Sequence, residues 1–472
     1  MSDLRVWRRR SIISGATATG GFHARMRSVT EIIVAPASLW ARLPTRRIVC
    51  DDCEGGIDME LSVRIARYLE SLGVAALSVS AGMYPYVRTV SNMYHKHGVN
   101  LYLAENVREA VRIPVMAAGQ IDRPEIQLHA LETGKTDILC IGRTLIADPD
   151  YPDKLREGRL DDIIHCIACN KGCHDRSAED RQVKCALNVR TGRETLDAFA
   201  IRPAREARRI MVIGGGPSGM EAARVAALRG HRVELWDDRP RLGGRLRLAA
   251  VPPHKARYGE ACDYLEREIR KLGVDIHLNA AVTEVELDSR KPDAVILATG
   301  SVPFVPPIQG LSGGGAVLVD DVLEGRAPVG RRVAIIGGGA IGAETAHLLV
   351  EEEDREVYLI EMRDGIAVDL PQDARICLLH AFEQTPSLHQ ITNAKVTAVT
   401  PESITLERQG QTEVVDRLDT IILAVGARSN QGLRPALEAL GIPFLVSGDA
   451  TGPKDYVKAI YEGFVAGNTI AE

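Results

Sequence analysis

No run of 18 or more apolar residues occurs in the 472-residue chain, so the sequence predicts no transmembrane helix. Heptad patterns and low-complexity tracts are also missing, which leaves no basis for a coiled coil or a biased tail. Charge of one sign is not in excess. The formal net charge is −5, which points to neither a nucleic-acid binder nor a membrane-surface binder. Arg8-Arg9-Arg10-Ser11-Ile12-Ile13 faintly resembles a twin-arginine signal. The polar stretch that follows, through Gly20 and Gly21, lacks an apolar core, so the chain is read as cytoplasmic. Nine cysteines in such a chain argue for metal or redox chemistry rather than a disulfide framework.

What is present is ample core. Apolar residues make up 45% of the chain and charged residues 26%, which argues against wholesale disorder. At about 150 residues per domain, three domains are expected. From Arg46 a strand–helix rhythm sets in. Residues 47–50, 75–79, 114–117 and 137–141 read as strands, and helical periodicity lies between them. This is the cadence of parallel α/β folds. A cysteine-rich segment follows at 165–185, then a polar stretch at 191–209 that reads as a linker. Two further α/β modules begin at Arg209 and Arg331.

Each of those modules opens on the same motif. An apolar strand, 210–213, runs into Gly214-Gly215-Gly216-Pro217-Ser218-Gly219, and a helix continues from Met220. In Gly-x-Gly-x-x-Gly the first glycine makes a tight turn. The second admits a pyrophosphate, the third lets helix and strand pack closely, and the helix N-terminus faces the phosphates. The next strand ends at Asp237, placed for a ribose hydroxyl. The second copy reads Gly337-Gly338-Gly339-Ala340-Ile341-Gly342, and its next strand ends at Glu361. An acid there favours NADH over NADPH, while Arg363 keeps NADPH open. Gly243-Gly244-Arg245, Ala298-Thr299-Gly300, Ala424-Val425-Gly426 and Ser447-Gly448-Asp449 resemble the remaining motifs of two-dinucleotide flavoproteins. They imply an FAD-binding domain split over 206–325 and 427–472, with an NAD(P)-binding domain at 326–426 inserted into it.

The cysteine spacing is Cys166-x2-Cys169-x3-Cys173-x11-Cys185. Four thiolates this close suit a [4Fe–4S] cluster, and tetrahedral zinc is the rival. The flavin module alongside favours iron, because a cluster relays single electrons and zinc does not. Cys50-x2-Cys53 has no partner pair and reads as incidental.

In this order the pieces resemble the old yellow enzyme-like family of three-cofactor enzymes, of the 2,4-dienoyl-CoA reductase and trimethylamine dehydrogenase type. Cys166-Ile167-Ala168-Cys169-Asn170-Lys171-Gly172-Cys173 and the stretch 216–224 carry the resemblance most specifically. It implies an FMN-type (β/α)8 barrel, then an iron–sulfur segment at 161–205, then two Rossmann-like domains. Residues 1–160 resemble only the C-terminal half of that barrel. Residues 19–27 are similar to the segment before its fifth strand. Arg47 matches the arginine that meets the FMN ring, and Gly119, Gly142 and Arg143 match its phosphate cradle.

A full barrel needs eight strands and about 250 residues. FMN is therefore expected only if the barrel is completed, by a partner polypeptide or by a dimer mate. The histidine that many relatives place after strand six is missing. Tyr84 stands in that loop as a candidate proton donor, and His95 and His97 further along it read as solvent-exposed. The resemblance implies electron flow from NAD(P)H through FAD and [4Fe–4S] to FMN, reducing an activated C=C bond in a small-molecule substrate. The alternatives are an amine dehydrogenase or N-demethylase with reverse flow, and an electron-transfer subunit or truncated product with no substrate site of its own.

Overall fold

The structure is a computed structural model that describes residues 45–50, 57–81, 90–311, 315–351 and 355–471, with the backbone path alone for 45–50. Residues 19–27, Cys53 and Tyr84, and the side chains of Arg47 and Cys50, lie outside the described residues. Two compact units are present, one ending at Asn170 and one beginning at Lys171. Among the described residues no helix is long and apolar enough to cross a membrane.

The first unit is a parallel sheet whose strands lie in sequence order: β1 (Thr45–Cys50), β2 (Ala76–Ala81), β3 (Val115–Ala118) and β4 (Ile138–Cys140). These are the strands that the rhythm predicts. Parallel neighbours need a crossover connection. The helices Met59–Ser71, Leu101–Ala110 and Pro124–Glu132 stand in those connections. The first begins at Asp58, whose carboxylate accepts the Leu61 N–H at 2.7 Å, an N-cap that satisfies an otherwise orphaned donor. Leu77 and Val79 of β2 and Val115 and Ala117 of β3 bury their side chains with Leu103, Ala104 and Val107. Tyr151 is fully buried there, and its hydroxyl donates to Gln127 Oε1 at 2.8 Å, so no polar atom is stranded.

The second unit holds two five-stranded parallel sheets. In the first, β5 (Arg209–Ile213) is central, between β6 (Arg232–Trp236) and β8 (Ala294–Leu297). β7 (Asp275–His277) lies at one edge, and a late strand, Phe444–Val446, pairs with β8 at the other. In the second sheet, Arg332–Ile336 lies between Glu356–Ile360 and Thr420–Leu423. An antiparallel meander, Ala394–Thr400, Ser403–Arg408 and Gln411–Val415, buries Val396, Ile404 and Leu406 with Ala334, Ile336 and Ile360 of that sheet.

Residues 191–209 are not a free linker. Asn468 Nδ2 donates to the carbonyls of Ala198 and Ala200 at 3.1 and 3.4 Å. Phe199 stacks on Phe464 at 5.9 Å, and the Arg193 guanidinium lies 4.7 Å over the Phe199 ring. Polar composition concealed this, because one ring and a few backbone carbonyls make the attachment.

The helix Pro217–Leu228, which follows the first fingerprint, packs on the late helix Tyr456–Thr469 through small residues. A Cβ on Gly463 would overlap the carbonyl oxygen of Ser218, and one on Gly467 would come within 2.5 Å of the Ala222 carbonyl oxygen. Neither backbone can yield without moving the fingerprint helix. Gly463→Ala should therefore cost roughly 3 kcal/mol, the upper end for overpacking, and lower Tm by about 2–4 °C for each kcal/mol. Bound FAD should fall with it. Val465→Ala, on the exposed side of the same helix, should leave Tm and FAD content unchanged. Thermal melts and flavin release after denaturation measure both.

Candidate active site

Within the second unit lies a cavity of about 1180 Å³. Small-molecule sites commonly span about 300–1,000 Å³, so this one has room for a dinucleotide. It opens beyond the carboxyl ends of β5, β6 and β8, where parallel sheets bind ligands. Gly214, Gly216, Ser218, Asp237, Gly244, Arg245, Ala298, Gly300, Gly426 and Asp449 all line it.

The glycines of the first fingerprint divide their work as their spacing predicts. Gly214 has φ 107°, and a Cβ there would overlap the Ala298 carbonyl oxygen. On Gly219 a Cβ would overlap the Gly214 carbonyl oxygen, so this glycine serves packing and not ligand contact. Gly216, by contrast, has nothing within 4 Å of its Cβ position and faces open space. Asp237 accepts N–H groups from Gly215 and Arg239, bracing the loop as well as lining the cavity. Burial pushes its carboxyl up, against the pull of those two donors.

The later motifs close the same cavity. The hydroxyls of Ser218 and Ser447 lie 2.6 Å apart, and a Cβ on Gly448 would come within 2.7 Å of Ser218 Cβ. Gly448 thus seats the motif, while Asp449 faces the cavity and accepts from Ser301 Oγ at 3.2 Å. Arg245 Nη2 reaches Asp320 at 3.0 Å. Its Nη1 is buried with no hydrogen-bond partner among the described residues, and Arg245 lines the cavity. An orphaned guanidinium nitrogen beside an open glycine cradle fits an anionic ligand such as the FAD pyrophosphate.

The second fingerprint repeats the construction. Gly337 has φ 107°, and its Cβ would lie 2.5 Å from the Ala424 carbonyl oxygen; a Cβ on Gly342 would overlap the Gly337 carbonyl oxygen. Glu361 accepts from the Gly338 N–H at 2.7 Å, the Arg363 N–H at 2.9 Å and Arg363 Nε at 3.1 Å. Burial alone would push its carboxyl up, but these donors and the Arg363 charge hold it below the usual glutamate range.

Several cavity residues carried no strong sequence signal. Lys171, inside the cysteine string, lines the cavity and pairs with Asp455 at 3.2 Å. Ala340, Ile341 and Glu344, on the helix after the second fingerprint, line it too. Glu344 is paired with Lys255 at 2.6 Å, and both are nearly inaccessible to solvent. Burial pushes the Glu344 carboxyl up, and the Lys255 ammonium opposes that. Breaking a buried pair of this kind costs about 3–5 kcal/mol.

The cysteine string runs across the boundary between the two units. In the first unit the Ala168 N–H points at Cys166 Sγ at 3.4 Å, and Ala168 and Asn170 adopt positive φ, which tightens the loop around Cys169. Burial pushes the Cys166 thiol up, and the Arg143 charge opposes that. In the second unit the Lys184 N–H donates to the Gly172 carbonyl at 2.7 Å, which sets the Cys173 loop beside Cys185. Four thiols with an N–H directed at the first sulfur are a donor set that fits an iron–sulfur cluster. Among the described residues no three His, Cys, Asp or Glu side chains stand ready around one point for a metal ion.

In the first unit, Gly119 has φ 124° and ends β3 against Asn100, while Gly142 faces open space. Arg143 is committed within the chain: its Nη1 donates to Ser91 O and Asn170 Oδ1, both at 2.6 Å. It therefore ties the cysteine loop to the end of β4. His95 and His97 are only partly exposed, contrary to expectation. His97 Nδ1 lies 2.6 Å from the buried Asp122, and His95 Nδ1 lies 3.1 Å from Asn92 Oδ1.

Known proteins place this arrangement. Residues 19–162 match the NADH:flavin oxidoreductase / NADH oxidase family, and residues 182–291 and 289–450 match the pyridine nucleotide-disulphide oxidoreductase family. The chain is 35% identical over 456 residues to an NADH oxidase of Thermoanaerobacter brockii, covering 94% of this chain and 69% of that protein. It is 30% identical over 477 residues to a cinnamate reductase of Clostridium sporogenes, covering 96% of this chain and 70% of that protein. A solved 2-naphthoyl-CoA reductase complex matches with TM-score 0.84 and 30% identity, over 90% of this chain and 64% of that one. The chain thus spans about two thirds of the length of these relatives. FAD, FMN and NAD(P)H are the cofactors of the matched families, and an iron–sulfur cluster is typical of their combination. The chain belongs to the old yellow enzyme-like NADH:flavin oxidoreductases of the dienoyl-CoA reductase type, in which a flavin oxidoreductase region is joined to a pyridine nucleotide module.

Proposed function

We propose that the chain is an NAD(P)H-dependent flavin and iron–sulfur oxidoreductase that reduces an activated C=C bond in a small-molecule substrate of the enoate or enoyl-CoA class. One observation carries the reading. Residues from both nucleotide-binding regions open on one cavity: Gly214, Gly216, Arg245 and Asp449 from the first, and Ala340, Ile341 and Glu344 from the second. A flavin and a nicotinamide held by these two sets would meet there. When bound, FAD, a [4Fe–4S] cluster and FMN supply the electron route, and the protein supplies position and electrostatics. The names of the relatives, a cinnamate reductase and a 2-naphthoyl-CoA reductase, support an unsaturated carboxylic or acyl substrate.

The residues then take these roles. Arg245 and the Gly216 cradle hold the FAD pyrophosphate, with Asp237 at the adenosine ribose and Asp449 at the ribityl chain. Gly337, Gly339 and Glu361 hold the nicotinamide coenzyme. Cys166, Cys169, Cys173 and Cys185 hold the cluster. Gly119 and Gly142 serve the FMN phosphate and Arg47 its ring, Arg143 positions the cysteine loop, and Tyr84 serves as proton donor to substrate. The first unit takes this part as a portion of a (β/α)8 barrel. A second reading is an electron-transfer role in which this chain supplies no substrate site.

Cofactor content separates the two. The complete enzyme should purify with FAD, FMN and about four irons, and in the absence of air should sustain NADH oxidation only when an enoyl-CoA or cinnamate is present. FAD and iron without FMN would leave only the electron-transfer reading. Cys166→Ser should lose the iron and its visible absorbance while keeping FAD. Zinc in place of iron would remove the electron route altogether.

Glu361 gives a pH test. A carboxyl held below its ordinary value of 4.5 contributes stability above that pH, and the contribution is lost as pH falls through the lowered value. Glu361→Gln lacks it throughout. Its Tm should lie below that of the wild type at pH 7, by about 2–4 °C per kcal/mol lost. That gap should close as pH falls from 4.5 through the lowered value. A gap independent of pH would show that the Glu361 charge does not brace the loop.

A further inference from the structure

The two fingerprints allow a comparison within one chain. They match in strand, turn, glycine collisions and the acid that braces the loop. They differ at the second glycine, where the backbone must admit a pyrophosphate. At Gly216 the Cβ position has nothing within 4 Å. At Gly339 the nearest atoms to that position are Asp369 Oδ1 and Oδ2, each at 3.7 Å, followed by Arg363 Nη2 at 3.9 Å. Asp369 Oδ1 also accepts the Ala340 N–H at 2.9 Å. Ala340 is the first residue of the 12-residue helix Ala340–Glu351. A carboxylate of the chain itself therefore rests where a coenzyme phosphate would be expected.

The segment that carries Asp369 is strapped over the loop. The Ala367 N–H donates to the Gly338 carbonyl at 2.7 Å, and the Leu370 N–H to the Ala367 carbonyl at 3.1 Å. Asp369 itself lines the cavity, so it has open space on its other side. The helix N-terminus carries a partial positive charge and orphaned N–H groups, and it holds whichever anion is at hand.

We propose that Asp369 is a displaceable plug at the nicotinamide-coenzyme site. It satisfies the helix N-terminus while the coenzyme is away. The incoming pyrophosphate then displaces it, because two anions repel each other at one donor set. The plug weakens coenzyme binding at the second fingerprint and leaves FAD binding at the first untouched. This rests on the assignment of the second fingerprint to NAD(P)H.

The test is calorimetric titration of oxidised, FAD-loaded full-length protein with NAD⁺, in the wild type, Asp369→Asn and Asp369→Ala. Asn keeps an acceptor oxygen for the Ala340 N–H but carries no charge, and it decides the matter alone if the Ala variant folds poorly. Both variants should bind NAD⁺ roughly tenfold more tightly, about 1.4 kcal/mol, with FAD content unchanged. Inorganic pyrophosphate should compete with NAD⁺ more strongly in the variants, and the gain should shrink at high salt. An unchanged or weaker Kd in Asp369→Asn overturns the plug. Absence of both NAD⁺ and NADP⁺ binding in all three proteins overturns instead the assignment of the site on which the plug rests.

Discussion

The close approach of the helices Pro217–Leu228 and Tyr456–Thr469 governs the geometry of the large cavity. Ser218 is the hinge point of that contact. Its carbonyl oxygen meets Gly463, its Cβ meets Gly448, and its hydroxyl meets Ser447. One small residue thereby locks the phosphate-facing turn to the strand end that presents Asp449. A larger side chain at any of these positions would separate the two walls. Dispersion contacts at this range are individually weak, but steric exclusion is not, and exclusion sets the geometry.

Two copies of one construction serve different ends in this chain. In both, a strand of buried apolar residues delivers a glycine onto a neighbouring carbonyl, at Ala298 in one copy and Ala424 in the other. In both, an acid at the end of the next strand holds the loop from below. The differences lie in what surrounds the loops. The first opens beside Arg245, which has a nitrogen to spare. The second is roofed by residues 366–370, with Glu361, Arg363 and Asp369 gathered at its mouth.

Much of this was legible in the sequence because the determinants are local. Glycine collisions arise within one strand–turn–helix unit, so spacing alone foretells Gly214, Gly219, Gly337 and Gly342. Strand rhythm likewise foretold β1 to β4. Lys171, Lys255, Glu344 and Asp369 were not legible as cavity or ion-pair residues. Each acts through a partner distant in sequence, as Glu344 does with Lys255, and no local pattern encodes that meeting. The attachment of residues 191–209 escaped notice for the same reason: Asn468 and Phe464 lie more than 250 residues downstream. The commitment of Arg143 to Ser91 and Asn170 was not legible either, since both partners are distant in sequence.

The late strand Phe444–Val446 completes the first sheet by pairing with β8, although the whole second sheet lies between them in sequence. The helix that seats Ser218 comes later still. During synthesis, β5, β6 and β8 leave the ribosome with one sheet edge uncovered and one wall of the cavity unmade. The second sheet has time to form by itself, since its strands are nearly contiguous, but the large cavity must wait for residue 469. At roughly 5–20 residues per second, that delay lasts on the order of 10 to 30 s. Over that interval the edge of β8 that Phe444–Val446 later covers stands without its strand partner, a backbone edge open to mispairing.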